Sequence, residues 1–393
     1  MNAKTLRLLI VIAVFAALLA WWLNLGDPRR GVPPEVGQPV FPGLSDRLER
    51  LQAFRLSARE PLLTIERGRE DGAFVVRERH GYPADLGKLR GYLLRLSEAR
   101  LLEPKTSNPE RFGELGLAEP DAAEGAATRL ELVFSDGEQS LLIGRYNGQG
   151  SGTFIRRAGE NQSWLASGDL TLEREPARWI ARDLIDVPSA KVKRLELKRP
   201  DGESIRAAKS KEEDAHFTVE NLPVGRELTG EWAPSGLAGL LSSLQADDVL
   251  PAAEQPVPED ALALSYETFD GRRFAMRLWK KDDAHFLTLS AELLPEEALA
   301  ATSPADSEAA GKASDEAEEK PAQPEGEKSA AAPASEAPDR ASAEQQEKPT
   351  REALAREVER FNAQVRDWVY RIPAWKYSAV DKRMEDLLKP KEG

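Results

Sequence analysis

The chain has 393 residues and no cysteine. That absence excludes disulfides, thiolate nucleophiles and Cys-ligated zinc or iron–sulfur centres. Histidine is nearly as scarce. His80, His216 and His285 are the whole set, and no two are spaced as a metal-ligating pair. No serine stands in a Gly-x-Ser-x-Gly elbow. Acidic residues are many, but none is in a context that marks paired carboxylates for acid/base work; most alternate with basic residues as solvated strand faces. A basic excess is missing too. The formal net charge is −13, so nonspecific attraction to nucleic acid or to an anionic membrane surface is not expected. Much of that charge is local. Residues 301–350 hold 12 Asp and Glu against 5 Lys and Arg, a net of −7, which leaves −6 for the other 343 residues. No cofactor, metal, catalytic residue or nucleotide site is expected from this inventory.

One apolar run is present, "LRLLIVIAVFAALLAWWLNL" over residues 6–25, without a polar residue from Leu8 to Leu23. At about 1.5 Å rise per residue, that length just spans a hydrocarbon core of roughly 30 Å. Lys4 and Arg7 precede or open it, and Trp21 and Trp22 stand where an interfacial aromatic belt would lie. The expectation is a cytoplasmic N-terminus over residues 1–5, a transmembrane anchor over 6–25 and a periplasmic body. The rival is a cleaved signal peptide, which lacks its small-residue site here: bulky "WWLNLGDPRRG" succeeds the run. A Pro/Gly linker over 26–44 leads to the body.

Within the body, two stretches share the same order of events. The first has the alternating strands "LERLQAFRL", "LLTIERG" and "AFVVRER". A helix comes next, with Asp85 as N-cap and Leu86, Leu89, Leu93 and Leu96 on one face. A hairpin then turns at Ser135-Asp136-Gly137. The second stretch repeats this from Val192, with a helix carrying Leu237, Leu240, Leu241 and Leu244 on one face and a hairpin at Asp270-Gly271. The exits around Trp179 and Trp368 look alike and read as packing anchors. The expected fold class is α+β: an N-terminal transmembrane helix, then two duplicated, mainly antiparallel β-meander-plus-helix domains. Their spans are 45–187 for the first and 188–298 with 351–389 for the second. Residues 299–350, rich in Ala, Glu and Pro and without an aromatic, read as a disordered acidic insert.

Three glycines at alternate positions, Gly148, Gly150 and Gly152, raise the question of a phosphate loop. Such a loop needs a helix after it, so that the helix N-terminus meets the anion. The next residues, "TFIRRAG", alternate as a strand does, so a hairpin loop is expected. Gly311-Lys312 mimics a P-loop end, but Asp306 and Ala313 break the pattern. The motif "DAHF" occurs twice, at Asp214–Phe217 and Asp283–Phe286. The sharp reading is a pair of Asp-x-His metal sites; the plainer one, preferred here, is a turn leading into a strand in each copy.

The segment "RFGELGLAEP" (Arg111 to Pro120), the hairpin "LELVFSDGEQSLLIGRY", the adjoining "GTFIRR" and the tail "WVYRIPAW" to Leu388 resemble a bacterial family, the domain of unknown function 4340. The resemblance extends from about Leu48 onward. It implies a membrane-anchored envelope protein, sometimes associated with auxiliary components of ABC transporters of the gliding-motility type, and it brings no catalytic residues. The leading expectation is a non-enzymatic single-pass inner-membrane protein that acts as an auxiliary or scaffolding subunit of a transport complex, with membrane-protein partners. The alternatives are an exported module that binds an envelope glycan or peptide through the Gly148–Gly152 loop and exposed aromatics, and a hydrolase with an unfamiliar carboxylate site.

Overall fold

The computed structural model of the chain describes residues 33–68, 72–295 and 350–390. They fall into two compact units that divide between Asp183 and Leu184, with Ala246–Leu250 grouped with the first.

The first unit is built on β1 (Leu51–Ser57), β2 (Pro61–Arg67), β3 (Phe74–Val76), β4 (Tyr82–Pro83), β5 (Leu101–Pro104), β6 (Thr128–Phe134), β7 (Gly137–Asn147), β8 (Gly152–Arg157) and β9 (Ser163–Ser167). The sheet runs in the order β4-β3-β2-β1-β6-β7-β8-β9-β5. Strict alternation in "TRLELVF" turns Leu130 and Leu132 to one face, where both are fully buried. Against that inner face lies the helix α1 (Leu86–Glu98). Asp85 caps it by accepting a 2.9 Å bond from the Lys88 N–H. Leu89, Leu93 and Leu96 are buried, while Leu86, at the first position, is 39% exposed. Phe54, Tyr92 and Trp179 meet in the core with ring centroids 5.3–6.4 Å apart. The Trp179 indole donates to the Glu173 carbonyl at 2.8 Å, and its own carbonyl accepts the Asp85 N–H. Residues 33–44 close onto this unit: Val40, Phe41 and Leu44 are buried, and the Gly37 and Val40 N–H groups donate to the Leu101 and Ala99 carbonyls.

The second unit contains β10 (Asp183–Ile185) paired with β14 (Leu244–Gln245). Its large sheet uses β11 (Val192–Lys198), β12 (Ser204–Ala208), β13 (Thr218–Val219), β15 (Asp248–Pro251), β16 (Leu262–Thr268), β17 (Arg272–Lys281), β18 (Ala284–Leu293) and β19 (Trp368–Ile372). The order is β13-β12-β11-β16-β17-β18-β19-β15. Strand for strand this repeats the first sheet, with β4 alone lacking a counterpart. The helices α2 (Arg351–Val365) and α3 (Ala374–Val380) complete the unit. Thr350 caps α2, Asn362 on α2 exchanges two hydrogen bonds with the Ala291 backbone, and Phe361 meets Phe274 edge to face. Lys376 on α3 is buried and donates its ammonium to the carbonyls of Gly239, Leu240 and Ser242. Burial pushes its pKa down, with Asp186 opposing.

The structure corrects two expectations. The fold class is not the α+β arrangement with a transmembrane helix. The described residues are mostly antiparallel β-sheet with few helices, and among them no helix is long and apolar enough to cross a membrane. The apolar run 6–25 and the acidic stretch 299–349 lie outside the described residues. The second helix read from the leucine spacing is also much shorter. Ser235–Ala238 make one α-turn and Gly239–Leu241 a 3₁₀ turn. Leu237, Leu240, Leu241 and Leu244 are all buried, but Gly236 and Gly239 weaken the helix and Ser243, at φ 47°, ends it. The apolar spacing there marks core contact without marking helix length.

Candidate interaction surface

The loop of three glycines closes the β7–β8 hairpin, with Asn147 opposite Gly152. A strand comes after it, so no helix N-terminus faces the loop. A Cβ on Gly152 would lie 2.3 Å from the Ala166 carbonyl oxygen, so this glycine serves close strand packing. A Cβ on Gly148 would meet the Tyr146 ring at an ordinary 3.8 Å, and Tyr146 is 46% exposed. The two "DAHF" motifs both lie in the second unit, one ahead of β13 and one entering β18, so they are not equivalent positions of the two sheets. The His216 ring is 3.6 Å from the Glu231 carboxylate, and the His285 ring packs at 4.7 Å on Tyr377. His80 occupies a left-handed position after a 3₁₀ turn. Among the described residues no group of three or more His, Asp or Glu could hold a metal ion. Trp179 and Trp368 are not equivalent either. Trp368 opens β19, whose counterpart is β9, whereas Trp179 lies beyond β9 in the core. Gly311 and Lys312 lie outside the described residues.

The informative difference between the units is on the outer face of each sheet. Residues directly opposed across antiparallel strands share a face, so the registers can be laid side by side. In the first unit one outer row runs Ser57, Arg129, Leu142, Arg156. In the second it runs Lys198, Ala263, Arg277, Thr288. The match is fixed by the strands: Ser57 and Lys198 each end a seven-residue strand, and Arg129 and Ala263 are each second in one.

In the first unit this face is covered. Between β5 and β6 the chain makes a 23-residue excursion, 105–127, that contains "RFGELGLAEP". Phe112, Leu117 and Ala127 form a buried cluster with Leu142, and Leu115 and Phe154 pack against it. The fit is close enough that a side chain is excluded at several points. A Cβ on Gly144 of β7 would stand 2.4 Å from the Leu115 carbonyl oxygen, and one on Gly125 would stand 2.5 Å from that of Gly113. Arg156 is 4% exposed beneath this cover. Its guanidinium lies 4.5 Å over the Phe112 ring and donates to the Glu119 carboxylate at 2.5 Å and the Glu160 carbonyl at 3.0 Å. The cover thus has two parts: an apolar turn on the sheet and a carboxylate on the buried cation.

In the second unit the equivalent connection is 252–261, ten residues in place of 23. The position of Gly144 is taken by Trp279, which is 3% exposed and stacks on Phe286 at 5.7 Å, so the end of the face nearest the connection is filled by the sheet's own side chains. Beyond them the face is open. Arg277 is exposed where Leu142 is 1% exposed, and Thr288 is half-buried where Arg156 is enclosed. The result is a trough of about 460 Å³ floored by short side chains, Ala263, Ser265, Ala275 and Ser290. Lys198, Arg277 and Arg366 line it with one carboxylate, Glu196, which is held 3.0 Å from the Lys198 ammonium.

Sequence reading missed this surface. Its signal is present: alternate positions of β16 and β17 carry Ala263, Ser265 and Ala275, where the matching row of β6 carries Arg129 and Glu131. That signal becomes legible only once the strand register is known.

Fold and surface together define a tandem of two like-ordered antiparallel sheet units, one with its outer face covered and one with it open. Residues 75–262 match the family described as Domain of unknown function (DUF4340), the family that the sequence resembles. The match runs from β3 to the first residue of β16 and includes the whole covering segment. No curated protein and no solved structure matches the chain.

Proposed function

We infer that this protein is a non-enzymatic interaction subunit, an auxiliary or scaffolding component of an envelope transport complex. The observation that carries the reading is the open outer face of the second sheet. An antiparallel sheet can leave one face to water, but here the same face in the sister sheet is sealed by 23 residues of its own chain. A trough floored with small side chains suits a docked segment better than bulk water does. The apolar sequence run at 6–25 and the resemblance of the body support residence in the bacterial inner membrane with the bulk of the chain periplasmic, and membrane proteins as partners.

The test is fractionation of cells, then photo-crosslinking from single positions on the open face. The expected result is recovery in the inner-membrane fraction with a discrete crosslinked membrane partner. Recovery as a lone monomer, with no crosslink from any position, sinks the reading. A second reading, an exported ligand-binding module, draws on the exposed Tyr146 ring beside Gly148. It requires saturable binding of an envelope glycan or peptide that is lost when residues 148–151 are shortened.

A further inference from the structure

We propose that the trough on the second unit is the docking site for a partner-protein segment of apolar–acidic chemistry. The segment is a short helical turn that sets apolar side chains on the floor and a carboxylate on Arg277. This inference rests on the interaction-subunit reading and specifies the chemistry of the partner.

The protein itself supplies the template. In the first unit, the row Ser57, Arg129, Leu142, Arg156 is occupied by just such a segment. Phe112 to Leu115 form a helical turn, Gly116 at φ 72° redirects the chain, Leu117 drops onto Leu142, and Glu119 reaches Arg156. The second unit offers the same sheet geometry with the cation moved to the neighbouring strand. Leu142 of β7 and Arg156 of β8 become Arg277 of β17 and Thr288 of β18. A cation therefore stands one strand over, on the same row. Among the described residues no side-chain hydrogen bond or ion pair engages Arg277, whereas Lys198 is paired with Glu196 and Arg366 with Asp367 at 3.4 Å. Charge complementarity thus favours an acidic occupant. Size argues in the same direction. Ala263 and Ser265 replace Arg129 and Glu131 of the first unit, and Ala275 and Ser290 beside them are also short, which leaves room for the apolar residues of an incoming turn. Polyanions such as nucleic acid fit poorly, because the floor is apolar or hydroxylic and the chain as a whole is acidic.

The probe is a synthetic peptide of residues 108–121 of this chain, which carries Phe112, Leu117 and Glu119 and bears a photoreactive group at its N-terminus. It is titrated against the full protein in detergent and then crosslinked. The expected result is saturable binding, with crosslinks on the second unit beside Arg277. Arg277→Glu weakens binding by about tenfold or more. The peptide carrying Glu119→Lys shows the reverse preference, binding Arg277→Glu better than the unaltered protein. Peptide that fails to bind, binds Arg277→Glu equally well, or crosslinks only beside Leu142 overturns the proposal. Crosslinking in membranes is independent of this titration. A partner captured through the trough together with an inert peptide defeats the stated chemistry and leaves the interaction reading standing. No captured partner at all defeats the interaction reading itself.

Discussion

The two units solve one problem in two ways. Each folds a meander of the same strand order and buries one sheet face under helix or turn. In the first unit the inner face takes a 13-residue helix, and the outer face takes the excursion 105–127. In the second, two short turns and the helices α2 and α3 serve the inner face, and the outer face is left to its own side chains and to Arg366 at the end of α2. The contrast between Gly144 and Trp279 at equivalent positions captures the difference. Where a segment is to be accepted at backbone distance, the position is glycine; where none arrives, a large ring fills the space. One architecture thus presents a sealed surface and an available one, and the difference resides in a connection length and a handful of outward side chains.

The cover can be broken from either side. Phe112→Ala removes the ring under which Arg156 is held and around which the cluster packs. The expected loss is about 3–5 kcal/mol, the usual range for emptying a buried aromatic site, read by urea unfolding of the first unit. Gly144→Ala attacks the same contact from the sheet. Its Cβ would meet the Leu115 carbonyl, and relief requires backbone movement of the cover, so about 1–3 kcal/mol is expected from overpacking. If either change is neutral, the segment is not bound as described.

A smaller effect is expected from pH in the second unit. The second hairpin turn holds Asp270 against Arg272, with bonds of 2.6–3.2 Å, and against the Thr268 hydroxyl. Burial pushes the Asp270 carboxyl up, but the bonds from Arg272 and Thr268 outweigh it and hold it below the ordinary carboxylate range. A carboxyl depressed in the folded state contributes stability above its unfolded value, about 3.9, and the contribution is lost as pH falls through the folded value. The second unit should therefore weaken below about pH 4, and Asp270→Asn should flatten that acid limb without changing the first unit. An unchanged acid limb contradicts the assignment. The smallest effect is expected on the open face. Arg277→Leu, which copies the first unit's Leu142, should alter stability by no more than about 0.5 kcal/mol, because the side chain is exposed and makes no hydrogen bond or ion pair among the described residues. A large loss would mean that the face is already occupied.

How much of this is legible in the sequence depends on which interaction does the specifying. Period-two alternation in "TRLELVF" and "LALSYET" fixes the paired strands and their buried faces. Asp85 caps its helix because an Asp before an apolar stripe has few other uses. The glycine hairpin is implied by the alternation of "TFIRR". The second helix fails because four leucines at helical spacing can serve two tight turns equally well, and the glycines decide. The pairing of Trp179 with Trp368 fails because like words do not share a sheet position when the intervening lengths differ. The trough is hidden for a related reason. It depends on an absent cover, and absence shows only when two registers are compared residue by residue.

The central claim is that equivalent positions on the two outer faces differ in access. The cysteine-free chain allows a direct measurement: place one cysteine at Leu142 and, separately, one at Arg277, and track labelling by a hydrophilic maleimide under native conditions. The account predicts that Arg277→Cys labels at the rate of an unstructured thiol, while Leu142→Cys is protected by at least about a hundredfold until the first unit opens. Equal labelling rates at the two positions would contradict it.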